Sequence, residues 1–62
     1  MDNTEKARIY DECLRESDVL QRANSKIKSE NVVNIPQHLQ EQMDRNNARI
    51  AMLVSRLESL FN

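Results

Sequence analysis

The chain has 62 residues, no glycine or tryptophan, one proline and one cysteine, with nine basic against ten acidic side chains and a net charge of −1. So short a chain holds one small domain at most, and a single core of this size rarely stabilises itself without a staple or a partner. The balanced charge gives no reason to expect a nucleic-acid or membrane surface, and the lone Cys13 excludes an intrachain disulfide framework.

The opening Met1-Asp2-Asn3-Thr4-Glu5 is acidic, and no apolar run follows it. A signal peptide is therefore not expected. No stretch approaches the ~18 apolar residues of a membrane span, so a soluble, cytoplasmic protein is the expectation. Asp2 or Thr4 can cap a first helix over about residues 4–29, and Asp2 with Glu5 makes a capping-box pattern. Along this helix Tyr10, Cys13, Ser17, Leu20, Asn24 and Ile27 recur at alternating steps of three and four. That spacing lays them on one stripe, with Tyr10, Ser17 and Asn24 at heptad position a and Cys13, Leu20 and Ile27 at d. Ile9, Leu14 and Ala23 widen the stripe. Lys26 and Lys28 fall in the last turn, where cations suit the helix dipole.

The segment of about residues 30–35 breaks the pattern. Adjacent Val32 and Val33, two asparagines and Pro36 disfavour continuation, and the residue before a proline is pushed out of helical geometry. Asn31 is expected to take a left-handed cap. Asn34 with Gln37 reads as a second capping box, with Pro36 in the tolerated first turn. Val32, Val33 and Ile35 are apolar enough to fold back on Ile27 and Leu39 and seal this end. One continuous helix through the segment is the competing reading.

The second helix, about residues 36–61, carries the strongest signal. Leu39, Met43, Asn46, Ile50, Leu53, Leu57 and Leu60 form an unbroken heptad seam, the spacing of knobs-into-holes packing against another helix. A short connection returns the chain antiparallel. The two registers then place Glu16 opposite Arg49 on one flank. On the other flank they place Ala7 with Phe61, Leu14 with Val54, Gln21 with Asn47 and Lys28 with Gln40. This second flank is apolar near the termini and polar near the connection. Ala51 and Met52 add apolar area on the second helix.

Polar residues in the seam, namely Ser17, Asn24 and Asn46, must find partners when buried. Such residues commonly fix register and oligomeric state. Arg8, Arg15 and Arg22 recur every seven residues on the outermost face, a row that could meet phosphates. Asp11 and Asp18, four residues before Arg15 and Arg22, favour helix ion pairs instead, and Glu41 with Arg45 repeats the arrangement. His38 is alone, and no metal-ligand spacing, nucleophile–base pair or glycine-rich phosphate loop is present. No catalytic, cofactor or metal residues are assigned, and an enzyme is not expected. Cys13 reads as a small buried hydrophobe.

The expected fold is an all-α antiparallel two-helix hairpin in one domain, residues 1–62, pairing into a dimeric four-helix bundle. In length and hairpin form it resembles small plasmid-encoded RNA-binding hairpins that dimerise. That likeness is one of fold and carries no residues across. The expected function is a non-catalytic protein-interaction module, a small regulator, adaptor or chaperone, with a second copy as the favoured partner and another protein as the alternative. The candidate interface is Ala7, Leu14, Val54 and Phe61. A nucleic-acid regulator using Arg8, Arg15 and Arg22, or a purely structural oligomerisation subunit, are the competing functions.

Overall fold

The computed structural model describes residues 2–61. Two helices, α1 (Asn3–Glu30) and α2 (Gln37–Leu60), lie against each other in a hairpin. The backbone fills a rod of 48 × 14 × 13 Å. The break between the helices removes the continuous-helix alternative. Among the described residues there is no strand, and no helix is long and apolar enough to cross a membrane.

Asp2 is the N-cap of α1: its backbone is extended, and its Oδ1 accepts the Glu5 N–H at 2.8 Å. This satisfies one of the orphan donors of the first turn. At the other end Asn31 does not adopt the expected left-handed cap. Its φ is −130°, and its Nδ2 instead donates to the Ile27 carbonyl at 2.8 Å. A side-chain amide thus supplies the donor that a left-handed backbone turn would otherwise bring. The expected Asn34 capping box is also absent. Pro36 is itself the N-cap residue, without a side-chain bond, and its carbonyl accepts from Leu39 and Gln40 at 3.0 Å each. Ile35, held out of helical geometry by the following ring, delays the start of α2 until Gln37.

Val32 and Val33 do not seal the loop end. They stand 84% and 100% exposed, while Asn31, Ile35 and Pro36 are half-buried there. The Asn31–Ile27 bond closes the last turn of α1, and the two valines that follow it in the connection face solvent.

The core runs along the contact line. Ile9, Cys13, Leu53 and Leu60 form its buried cluster at the open end, with Leu20 and Leu57 packed against it. Met43 is buried towards the loop, and Ile27, Leu39 and Ile50 are half-buried. One seam position is corrected. Ile9 is 5% exposed, whereas Tyr10 is 41% exposed. Ile9 and Ile27 are about five turns apart at 3.6 residues per turn, so a straight helix puts them on the same side. A strict heptad drifts from that line by ~20° per repeat. Over the length of α1 the drift moves Ile9 into the seam and Tyr10 out of it, where its ring meets Phe61 edge-on at 5.9 Å.

Candidate interaction surface

Contacts on both flanks of the hairpin report its register. Arg49 donates to Glu16 from Nε at 2.6 Å and from Nη2 at 3.1 Å, the pairing expected from the heptads. On the opposite flank Tyr10 meets Phe61, and Asn24 meets Asn47. The first contact is offset one way along the rod and the other two the opposite way. Residues such as Leu14 and Val54, intermediate between the offsets, therefore lie at the same height. The guanidinium of Arg49 holds the Glu16 carboxyl below the ordinary glutamate range, first through the hydrogen bond and, against the opposing effect of desolvation, also through its charge. The same bond and the carboxylate charge raise Arg49.

The seam amides are all joined in one directed chain. Arg45 donates to the Gln42 oxygen at 3.1 Å, and Gln42 donates to the Asn46 oxygen at 3.0 Å. Asn46 in turn donates to Asn24 at 2.9 Å, and Asn24 donates to Asn47 at 2.9 Å. Gln21 donates separately to the hydroxyl of buried Ser17 at 3.2 Å. No buried side-chain nitrogen or oxygen among the described residues lacks a partner. The chain crosses between the helices at Asn46–Asn24 and returns at Asn24–Asn47, so sliding one helix would leave buried amides unpaired, each at a cost of ~1–3 kcal/mol. The polar layer thus specifies the register that the leucines alone would fix only loosely.

The flank beside this layer divides in two. Towards the open end it presents Ala7, Tyr10, Leu14, Val54 and Phe61, with Leu14 and Val54 each 43% exposed and Phe61 71% exposed. Asn3, Lys6, Ala7, Tyr10 and Phe61 line an open cleft at its tip. Towards the loop the same flank carries Gln21, Lys28, Gln40 and Asn47, all exposed. The other flank holds the Glu16–Arg49 pair, with Val19 and Met52 exposed near it.

The arginine row is engaged. Arg8 pairs with Glu12 at 3.0 Å and lies 3.7 Å from Glu5; Arg15 pairs with Asp11 at 3.0 Å and Arg22 with Asp18 at 2.9 Å. These partners neutralise the row and lower its pull on phosphates. Glu41 and Arg45 do not repeat the arrangement. Arg45 is drawn to Gln42 at the head of the amide chain, and Glu41 accepts from Gln37 at 3.4 Å. Cys13 is a buried free thiol. Among the described residues no three His, Cys, Asp or Glu side chains gather as a metal cage. No known protein family, curated protein or solved structure matches this chain.

Proposed function

We propose that this protein is a non-catalytic helical interaction module, a small regulator, adaptor or chaperone that pairs with a second copy to form a four-helix bundle. The observation that carries this reading is the contiguous exposure of Ala7, Tyr10, Leu14, Val54 and Phe61 on one flank. Contiguous apolar surface on a small soluble chain marks an interaction site more often than chance exposure. Size argues in the same direction. Five apolar residues, Ile9, Cys13, Met43, Leu53 and Leu60, make up the buried core among the described residues. A core that small supplies only a few kcal/mol against the entropy of ordering the chain, and covering the flank would add to it. The reading takes the cytoplasm as the setting, where a lone buried thiol stays reduced.

Sedimentation velocity over a wide concentration series tests the proposal. A dimer mass at micromolar concentration, dissociating on dilution, is expected. A well-folded monomer at the highest concentration reached would defeat it.

A further inference from the structure

The amide chain has a direction, and its end lies on the proposed interface. Every bond from Arg45 through Gln42, Asn46 and Asn24 to Asn47 is donated the same way. Asn47 therefore finishes the chain as an acceptor, with its Nδ2 donor left over. Gln21, on the same exposed flank, is in the complementary state: its Nε2 is spent on Ser17, leaving its Oε1 as an acceptor. The flank thus offers, near one height, a donor on α2 and an acceptor on α1, beside an apolar half that ends in Phe61.

Resting on the dimer reading above, we infer that two copies pack side by side with their open ends together, and that Asn47 of each donates to Gln21 of the other. A two-fold axis along the rod sets α1 of one copy against α2 of the other, antiparallel. Residues at one height then meet, so Leu14 faces Val54 of the second copy, Ala7 faces its Phe61, and Gln21 faces its Asn47. A two-fold contact of this kind forms each pair twice. Apolar groups cover apolar groups, and the leftover donor and acceptor satisfy each other.

The two other arrangements fare worse. Turning the second copy end for end at full overlap would press Phe61 and Leu14 onto Lys28, Gln40 and Asn47, burying polar groups against apolar ones. Overlapping the open ends alone would match the apolar halves but over only a third or so of the rod. A face of 48 Å by 14 Å covers about 700 Å² per copy, close to the ~800 Å² per partner of a standard interface. A third of it falls to the size of incidental contacts.

Pulsed dipolar electron spin resonance decides the orientation. A spin label at Val33→Cys, on the fully exposed loop tip, is placed in a Cys13→Ala background whose helix content is checked by circular dichroism. Side-by-side pairing with open ends together predicts a tip-to-tip distance of about 20 Å, from the 8–10 Å spacing of packed helices plus the label arms. A distance of about 45 Å or more overturns the orientation while leaving the dimer standing. Loss of all dipolar coupling, together with a monomer mass, would instead remove the dimer reading beneath it. Small-angle X-ray scattering of the unaltered protein gives a label-free check. The proposed dimer keeps roughly the length of one hairpin, whereas overlap of the open ends alone stretches it to ~80 Å at 1.5 Å per residue. Asn47→Asp keeps an acceptor for Asn24 but loses the donor, and should weaken the dimer about tenfold. Unchanged dimer affinity in that variant would overturn the Asn47–Gln21 contact.

Discussion

Arg49 grips Glu16 through two nitrogens, at 2.6 Å and 3.1 Å, from the far helix of the hairpin. Planar guanidinium and carboxylate meet edge to edge, so the contact reports both register and rotation of the helices. Both side chains are close to half exposed, so the pair specifies alignment more than it stabilises.

Its pH dependence has a definite sign. Glu16 is lowered from its ordinary value, first by the Arg49 hydrogen bond. Its contribution is therefore complete above the unfolded glutamate value of about 4.3. It is lost as pH falls through the lower folded value, because the unfolded chain takes up the proton first. Thermal melts of the wild type and Glu16→Gln should differ at neutral pH and converge in acid, once the pH has fallen below the lowered folded value of Glu16. A gap that persists in acid would show that the variant acts through something other than this pair.

The seam and the outer face should respond differently to truncation. Leu53 is 3% exposed within the apolar cluster. Leu53→Ala should cost ~2–5 kcal/mol in urea denaturation. Glu41, exposed on the outside, should cost ~0.5 kcal/mol or less as Glu41→Ala. Similar losses from both would mean that the buried stripe is elsewhere.

The amide chain predicts an asymmetry between single and double replacement. Asn24→Ala strands the buried Asn46 donor and should cost ~1–3 kcal/mol. Asn24→Leu with Asn46→Leu removes both partners and should be near neutral or stabilising, with a less unique alignment. Loss of the nuclear Overhauser contacts between Glu16 and Arg49, in a protein that still melts normally, would report that slippage. A double variant as unstable as Asn24→Ala would rule out the amide pairing as the source of the cost.

At the loop end the fold depends on Asn31 and not on the valines. Asn31→Ala removes the bond to the Ile27 carbonyl and should cost ~0.5–1.5 kcal/mol. Val33→Asp changes a fully exposed side chain and should fall within ~0.5 kcal/mol of the wild type. Chemical denaturation of both variants checks the ranking, and a larger loss from Val33→Asp would show that the tip packs in solution.

The period of the seam makes most of the fold legible in the sequence. Leu39 to Leu60 on α2 and Cys13 to Ile27 on α1 repeat long enough to specify two helices, and the break at Pro36 specifies the hairpin. Pairing the registers was enough to bring Glu16 to Arg49. Positions far from the centre of α1 were less legible, because a heptad approximates a 3.6-residue helix and the error accumulates; this is why Ile9 displaces Tyr10. The loop misled for another reason. Apolar composition points to burial for Val32 and Val33, but both lie in a bend directly after the Asn31 side-chain cap and face solvent. The partners of the buried amides were unreadable in detail, since Asn24 could have bonded to backbone, water or either neighbouring asparagine.

Val54 and Phe61 lie on the exposed flank, 43% and 71% exposed, outside the buried cluster. Replacing both with aspartate leaves the buried cluster of a single hairpin in place and removes the Tyr10–Phe61 ring contact at its open end. In the proposed bundle the same change puts four carboxylates into one apolar interface, where each must be desolvated beside like charge. Sedimentation should show the dimer of Val54→Asp with Phe61→Asp dissociating at concentrations where the wild type stays paired. Helix content should then fall as the released hairpins lose the cover on their flank. Protonating the aspartates near pH 3 would ease the repulsion and partly restore the dimer, provided that a Glu16→Gln control separates the acid sensitivity of the Arg49 pair. A double variant that stays dimeric at neutral pH would move the interface off this flank, and with it the pairing inferred for Asn47 and Gln21.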